Sequence, residues 1–142
     1  MSISALSVAQ IRSLSTTAIQ SLSTTSIQSL TTTQVSAFTT TGIGALSSTQ
    51  FGDFSTTQVK ALATTQIPSI NSSVSFTSGQ LLVLSAQQLG VLATAQVATM
   101  ETTAIQSFSI TQIGGLSSTN LSSLDQTQAA ALTTTQIGSF SI

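Results

Sequence analysis

The chain has 142 residues, a formal charge of −1 at pH 7 and only 4% charged residues. It contains no His, Cys, Trp or Tyr. A transition-metal site therefore lacks its usual ligands, and general acid–base catalysis lacks its commonest agent. The only basic residues, Arg12 and Lys60, cannot neutralise a phosphate backbone, so nucleic acid is not an expected partner. Apolar residues still make up 40% of the chain, beside 27 Ser and 26 Thr. That is enough apolar material for a core and sets the chain apart from disordered sequences.

The predicted elements follow one repeating pattern. Branched apolar residues recur every eight places at Ile3, Ile11, Ile19, Ile27, Val35, Ile43, Phe51, Val59 and Ile67. Each is followed three places later by a second: Leu6, Leu14, Leu22, Leu30, Phe38, Leu46, Phe54, Leu62 and Ile70. Aligned, the octads read Leu-Ser-Thr-Thr-Gln-Ile-x-x. The Ser or Thr after each Leu suits a helix N-cap, and the Gln three places on completes a capping box. The Leu before the cap and the Ile at the fourth helical position form a hydrophobic staple. Nine such units fill residues 1–70.

Residues 71–76 then break the register. Ile67 and the next phased residue, Leu81, are fourteen apart, and Pro68, the only proline, stands just before the break. This reads as a six-residue insert. Eight further units fill 77–142, phased on Leu81, Leu89, Val97, Ile105, Ile113, Leu121, Ala129 and Ile137. Over sixteen cap positions, thirteen are Ser, Thr or Asp; the exceptions are Ala63, Ala93 and Glu101. Gln fills the third helical position eleven times.

One continuous helix is excluded by arithmetic. At about 100° per residue the apolar pair would drift about 80° per octad and wind round the whole surface. A new helix of one or two turns at each cap shows the same apolar face inward every time. The expected fold is thus all-α, a solenoid of very short capped helices. A β-solenoid with two octads per coil is the alternative, favoured by the β-branched Thr, Ile and Val. Against it, an apolar spacing of three puts the pair on opposite faces of a strand. Small residues between the apolar pairs, such as Gly114 and Gly115, allow close approach of neighbouring coils. Leu82, Val83 and Val91 are the apolar exceptions and could mark a face that packs on something else.

Few residues carry chemistry. Asp53, Lys60, Glu101 and Asp125 are the only candidate bases for a hydroxyl nucleophile. Glu101 and Asp125 fall on cap positions, where a carboxylate meets free N–H groups. Asp53 and Lys60 read as a weak surface pair. Asn71 and Asn120 head glycosylation sequons. No constellation for catalysis assembles, so the chain is not expected to be an enzyme or to hold a cofactor or metal. The pairs Thr16-Thr17, Thr24-Thr25, Thr32-Thr33, Thr40-Thr41, Thr56-Thr57 and Thr64-Thr65 could form a Thr ladder. An ice- or surface-binding module is the alternative function on that ground.

The repeat starts almost at Met1 with Ile3 and Leu6 and runs to Ile137, Phe140 and Ile142, with no polar capping unit at either end. Those five residues are the candidate assembly interface. Open ends of this kind stack head to tail into fibres unless a ring closes. Low charge favours the same outcome. The chain itself is the expected partner. No apolar run exceeds four residues, as at 81–84, which excludes a transmembrane helix. The first residues lack a basic n-region and an apolar h-region, so no standard secretory signal is expected.

The units at 30–35 (Leu-Thr-Thr-Thr-Gln-Val) and 132–137 (Leu-Thr-Thr-Thr-Gln-Ile) resemble the short Ser/Thr-Gln repeats of large proteobacterial surface and adhesin-like proteins. The likeness covers nearly the whole chain outside 71–76. It implies an exported protein, extracellular or at the cell surface, reached by a route without a classical N-terminal signal, and it transfers no functional residues. Together these readings lead to the expectation of a subunit of a self-assembling extracellular filament or surface matrix.

Overall fold

The computed structural model describes residues 3–140. They contain fifteen α-helices, two 3-10 turns and no strand. The helices are α1 (Val8–Arg12), α2 (Thr16–Gln20), α3 (Thr24–Gln28), α4 (Thr32–Ala37), α5 (Thr40–Gly44), α6 (Ser48–Gly52) and α7 (Thr56–Lys60). After the break come α8 (Ser78–Leu82), α9 (Ala86–Gly90), α10 (Thr94–Ala98), α11 (Thr102–Ser107), α12 (Ile110–Ile113), α13 (Ser118–Ser122), α14 (Gln126–Ala130) and α15 (Thr134–Gly138). The 3-10 turns are Ile3–Ala5 and Ile67–Ser69. The fold is therefore all-α, and the β alternative falls: the apolar spacing of three serves helices throughout.

The caps explain why the helices start where they do. All thirteen Ser, Thr and Asp caps accept a hydrogen bond from the backbone N–H three residues on. The N-cap backbone is extended, as in Ser55 at φ −65°, ψ 159°, so the chain changes direction there. Each helix ends one turn later, where the staple residue of the next unit bonds back by three, as in Leu62 N–H to the Val59 carbonyl at 3.2 Å. Helices this short do not persist alone. Their stability comes from packing: Ile11, Ile19, Ile27, Val35, Ile43, Phe51, Val59 and Ile67 are all buried to 1% exposure or less.

The ninth unit lacks an α-helix, for two reasons. Ala63 offers no cap acceptor, and Pro68 has no N–H to give to the Thr64 carbonyl. A run of turns and the 3-10 turn Ile67–Ser69 take its place. Ala93 also lacks a cap acceptor, yet α10 forms, so the proline is the decisive change.

Packing follows a rule of three. Helix α1 lies against α4, α2 against α5, and α4 against α7. Helix α5 lies against the Ile67–Ser69 turn, and after the break α8 meets α11, α9 meets α12, and α10 meets α13. Helices α11 and α12 meet α14 and α15 in turn. The break obeys the same rule, because α7 packs against α8 with two units between them. One of those is the ninth unit. The other is the segment expected as an insert. Its Val74 and Phe76 are buried, at 2% and 7% exposure, and occupy the two apolar places of an ordinary unit. Residues 71–76 are thus a unit shortened from eight residues to six, lacking its Gln and one linking residue. Asn71 shapes it: its Oδ1 accepts from the Ser73 N–H and hydroxyl, each at 3.0 Å, and Val74 N–H closes on the Asn71 carbonyl at 2.9 Å.

Of the small residues expected to allow close approach, Gly115 does so, whereas a Cβ on Gly138 would meet nothing within 4 Å. A Cβ on Gly115 would fall inside the backbone of Ala86, 2.6 Å from its carbonyl carbon. No glycine here has positive φ, so proximity and not backbone freedom requires Gly115. Gly115→Ala is expected to cost about 1–3 kcal/mol as α9 and the end of α12 are forced apart. Urea denaturation measures it, and an unchanged midpoint would show that the two segments separate freely.

Candidate functional site

The most organised polar feature of the molecule is a ladder of buried glutamines. All eleven Gln residues at the third helical position accept, through Oε1, the backbone N–H of their own cap. The distances run from 2.7 Å at Gln66 to 3.1 Å at Gln96. The capping-box half of the sequence expectation is met even at Ala63 and Ala93, whose own side chains cap nothing.

The other end of the amide was not foreseen. In ten of the eleven, Nε2 donates to backbone carbonyls far back in the chain. Gln58 reaches Ile27 and Leu30 at 2.8 and 2.9 Å. Gln50 reaches Ile19 and Leu22, both at 2.9 Å. Gln136 reaches Ile105 and Phe108 at 2.8 and 2.9 Å. The offsets are 31 and 28 residues, which is three octads plus seven or four. A helix of five residues cannot satisfy its last carbonyls internally. One neutral amide therefore serves the start of one helix and the end of another three to four units earlier. Across the shortened unit the offset falls from 28 to 26, for Gln80 to Phe54 and Gln88 to Leu62, and it returns to 28 at Gln112 to Leu84. The two missing residues account for the difference. Asn120 takes over the role in α13, donating to Leu89 and Leu92. No buried side-chain polar atom among the described residues lacks a partner.

One sequence signal pointed to this ladder. A capping box accepts Glu or Gln equally, yet this chain uses Gln eleven times and Glu never. Only the amide can donate.

The other candidate residues are placed as follows. Asp125 caps α14, its Oδ1 2.7 Å from the Gln128 N–H. Glu101 does not cap α11. That expectation is corrected: its carboxylate reaches down to α8 and accepts from the Ser78 hydroxyl at 2.7 Å. The rule of three brings Glu101 and Asp125 to the wall of one open depression of about 520 Å³, with Met100, Thr102 and Thr127. Asp53 is half-buried at the end of α6, and Lys60 is exposed at the end of α7. Asn71 is exposed in its turn, but Asn120 is buried, so only the first sequon faces solvent. The six Thr pairs divide among three stacks. Thr16-Thr17, Thr40-Thr41 and Thr64-Thr65 share one stack, Thr32-Thr33 and Thr56-Thr57 a second, and Thr24-Thr25 lies apart. They do not form the single ladder that the sequence suggests.

The two ends differ. Ile3 is buried at 8% exposure and Leu6 is half-buried. At the other end Ile137 is 53% exposed and Phe140 half-buried, whereas the places equivalent to Ile137 from Ile11 to Ile113 are buried. Ile142 lies outside the described residues. No helix among those described is long and apolar enough to cross a membrane.

No protein-family model matches the chain, and no curated protein or solved structure is similar to it.

Proposed function

We propose that the protein is a non-catalytic structural solenoid that stacks head to tail into a filament of an extracellular or cell-surface matrix. Three units make one turn in this reading, about 24 residues, and each turn covers the apolar face of the turn before. The rule-of-three packing and the recurring glutamine offset of 28 residues, shortened only across 71–76, support the coil. The observation that carries the assembly is Ile137, 53% exposed at a place buried to 1% or less in the inner turns. An identical coil seated on the last one would cover it, together with the half-buried Leu121, Leu124, Leu132 and Phe140. The cell-surface setting follows from the resemblance of the octad to surface-protein repeats. The division of the Thr pairs among three stacks gives less support to an ice-binding face.

Electron microscopy across a concentration series tests this. Thin unbranched fibres are expected above a threshold, and Ile137→Arg is expected to abolish them while leaving the circular dichroism of the monomer intact. Monomers at every concentration would overturn the proposal.

A further inference from the structure

Resting on the head-to-tail reading, we infer that the glutamine ladder continues across the junction and that Gln10 sets the register between copies. Gln10 is the one member of the ladder that is exposed and whose Nε2 has no protein partner among the described residues; its Oε1 is used by the Ser7 N–H at 2.9 Å. It sits among the first described residues, and no described carbonyl accepts from it. The other two units of its turn carry Ala18 and Ser26 in place of Gln, so at the ladder position this turn offers a single free amide. The last turn is the converse. Up to Ile105 and Phe108 most levels receive an amide from a Gln or Asn later in the chain. The exceptions lie opposite Gly42, Ala104 and the shortened unit, which has no Gln, and at Ile67 and Ile70, where Gln96 donates to Asn71 in their place. The pairs at Ile113 and Leu116, Leu121 and Leu124, and Ala129 and Leu132 receive none.

Donor and acceptors are two halves of one pattern. When residues 3–6 of a second copy take the unit place after α15, its α1 is the second unit on. Gln10 then stands over the carbonyls of Leu121 and Leu124, as Gln34 stands over Ile3 and Leu6 at 3.1 and 2.8 Å. The two neighbouring units of the incoming turn bring Ala18 and Ser26, which cannot donate to backbone carbonyls as an amide does. A copy rotated by one or two units would move its one ladder amide to another pair and lose the continuity of the path. The partner is therefore a second copy of this chain in one of three rotational settings.

Gln10→Glu isolates the claim. It keeps the acceptor for the Ser7 N–H, so the capping box survives, but it has no donor and places a charge against carbonyl oxygens. The control is Gln87→Glu, the same charge change at an exposed position in the middle of the chain. The critical concentration for fibre growth is read by sedimentation for all three proteins. The expected result is a rise of roughly tenfold or more for Gln10→Glu, none for Gln87→Glu, and equal thermal midpoints for the monomers. Fibres from the natural chain with an unchanged threshold in Gln10→Glu would overturn the register while leaving the filament standing. No fibres from the natural chain would overturn both.

Discussion

Gln58→Glu is expected to destabilise the fold by about 3–5 kcal/mol at neutral pH, the usual cost of a buried charge left without a partner. Gln58 is buried to 4% exposure, and its Nε2 lies between the carbonyl oxygens of Ile27 and Leu30. A carboxylate there meets two like partial charges and cannot donate. A protonated carboxyl could, since its O–H stands where the amide N–H stood. Folding therefore favours the protonated form and raises the pKa of the introduced group above its unfolded value of about 4.3. The sign follows: the variant is least impaired below about pH 4 and loses up to about 1.4 kcal/mol per unit as pH rises. Denaturation at pH 4 and pH 7 separates the two proteins, and equal midpoints at pH 7 would show that the amide donor is dispensable. The contrast with Gln10→Glu is the useful one: a single chemical change is harmless to the fold at the first turn and severe inside.

Phe51→Ala is the second large effect, at about 3–5 kcal/mol. Phe51 is 1% exposed and packs edge-on against Phe76, centroids 5.1 Å apart at 75°. Phe54 lies 5.5 Å away. Phe76 belongs to the end of the shortened unit, so this cluster fastens the six-residue level to the octads before it. Stability in repeat architectures is a sum of unit terms and neighbour interfaces. Truncating Phe51 weakens the interface on which the two halves depend, and the single unfolding transition is expected to split into two. Calorimetry reports this directly. One transition at the natural midpoint would mean that the halves are joined elsewhere.

Much of the fold was legible because each unit states its own boundaries. The cap, the staple and the period of eight are local features, and local chemistry decided them: all thirteen predicted side-chain caps form. Glu101 departed from that pattern because its longer side chain reaches Ser78 three units back in the same stack, a contact no local rule contains. The segment 71–76 was harder. With neither Gln nor cap, it resembles an insert along the sequence, and only its buried Val74 and Phe76 reveal a unit two residues short. That units three apart pack together was not readable at all, since it depends on how five-residue helices meet across 24 residues. The ends gave a mixed result. Ile3 is covered within its own chain, whereas Ile137 stands open.

The direction of the glutamine bonds has a consequence for how the molecule comes into being. Every long-range amide donates to residues 25 to 31 places earlier and none to residues later in the chain. Each glutamine therefore finds its acceptors already made when it emerges during synthesis, and the last carbonyls of a helix are completed by an amide about 28 residues later. Such a chain can be wound progressively from its first turn, with short sequence separations that favour rapid folding. It never needs to bring its two ends together.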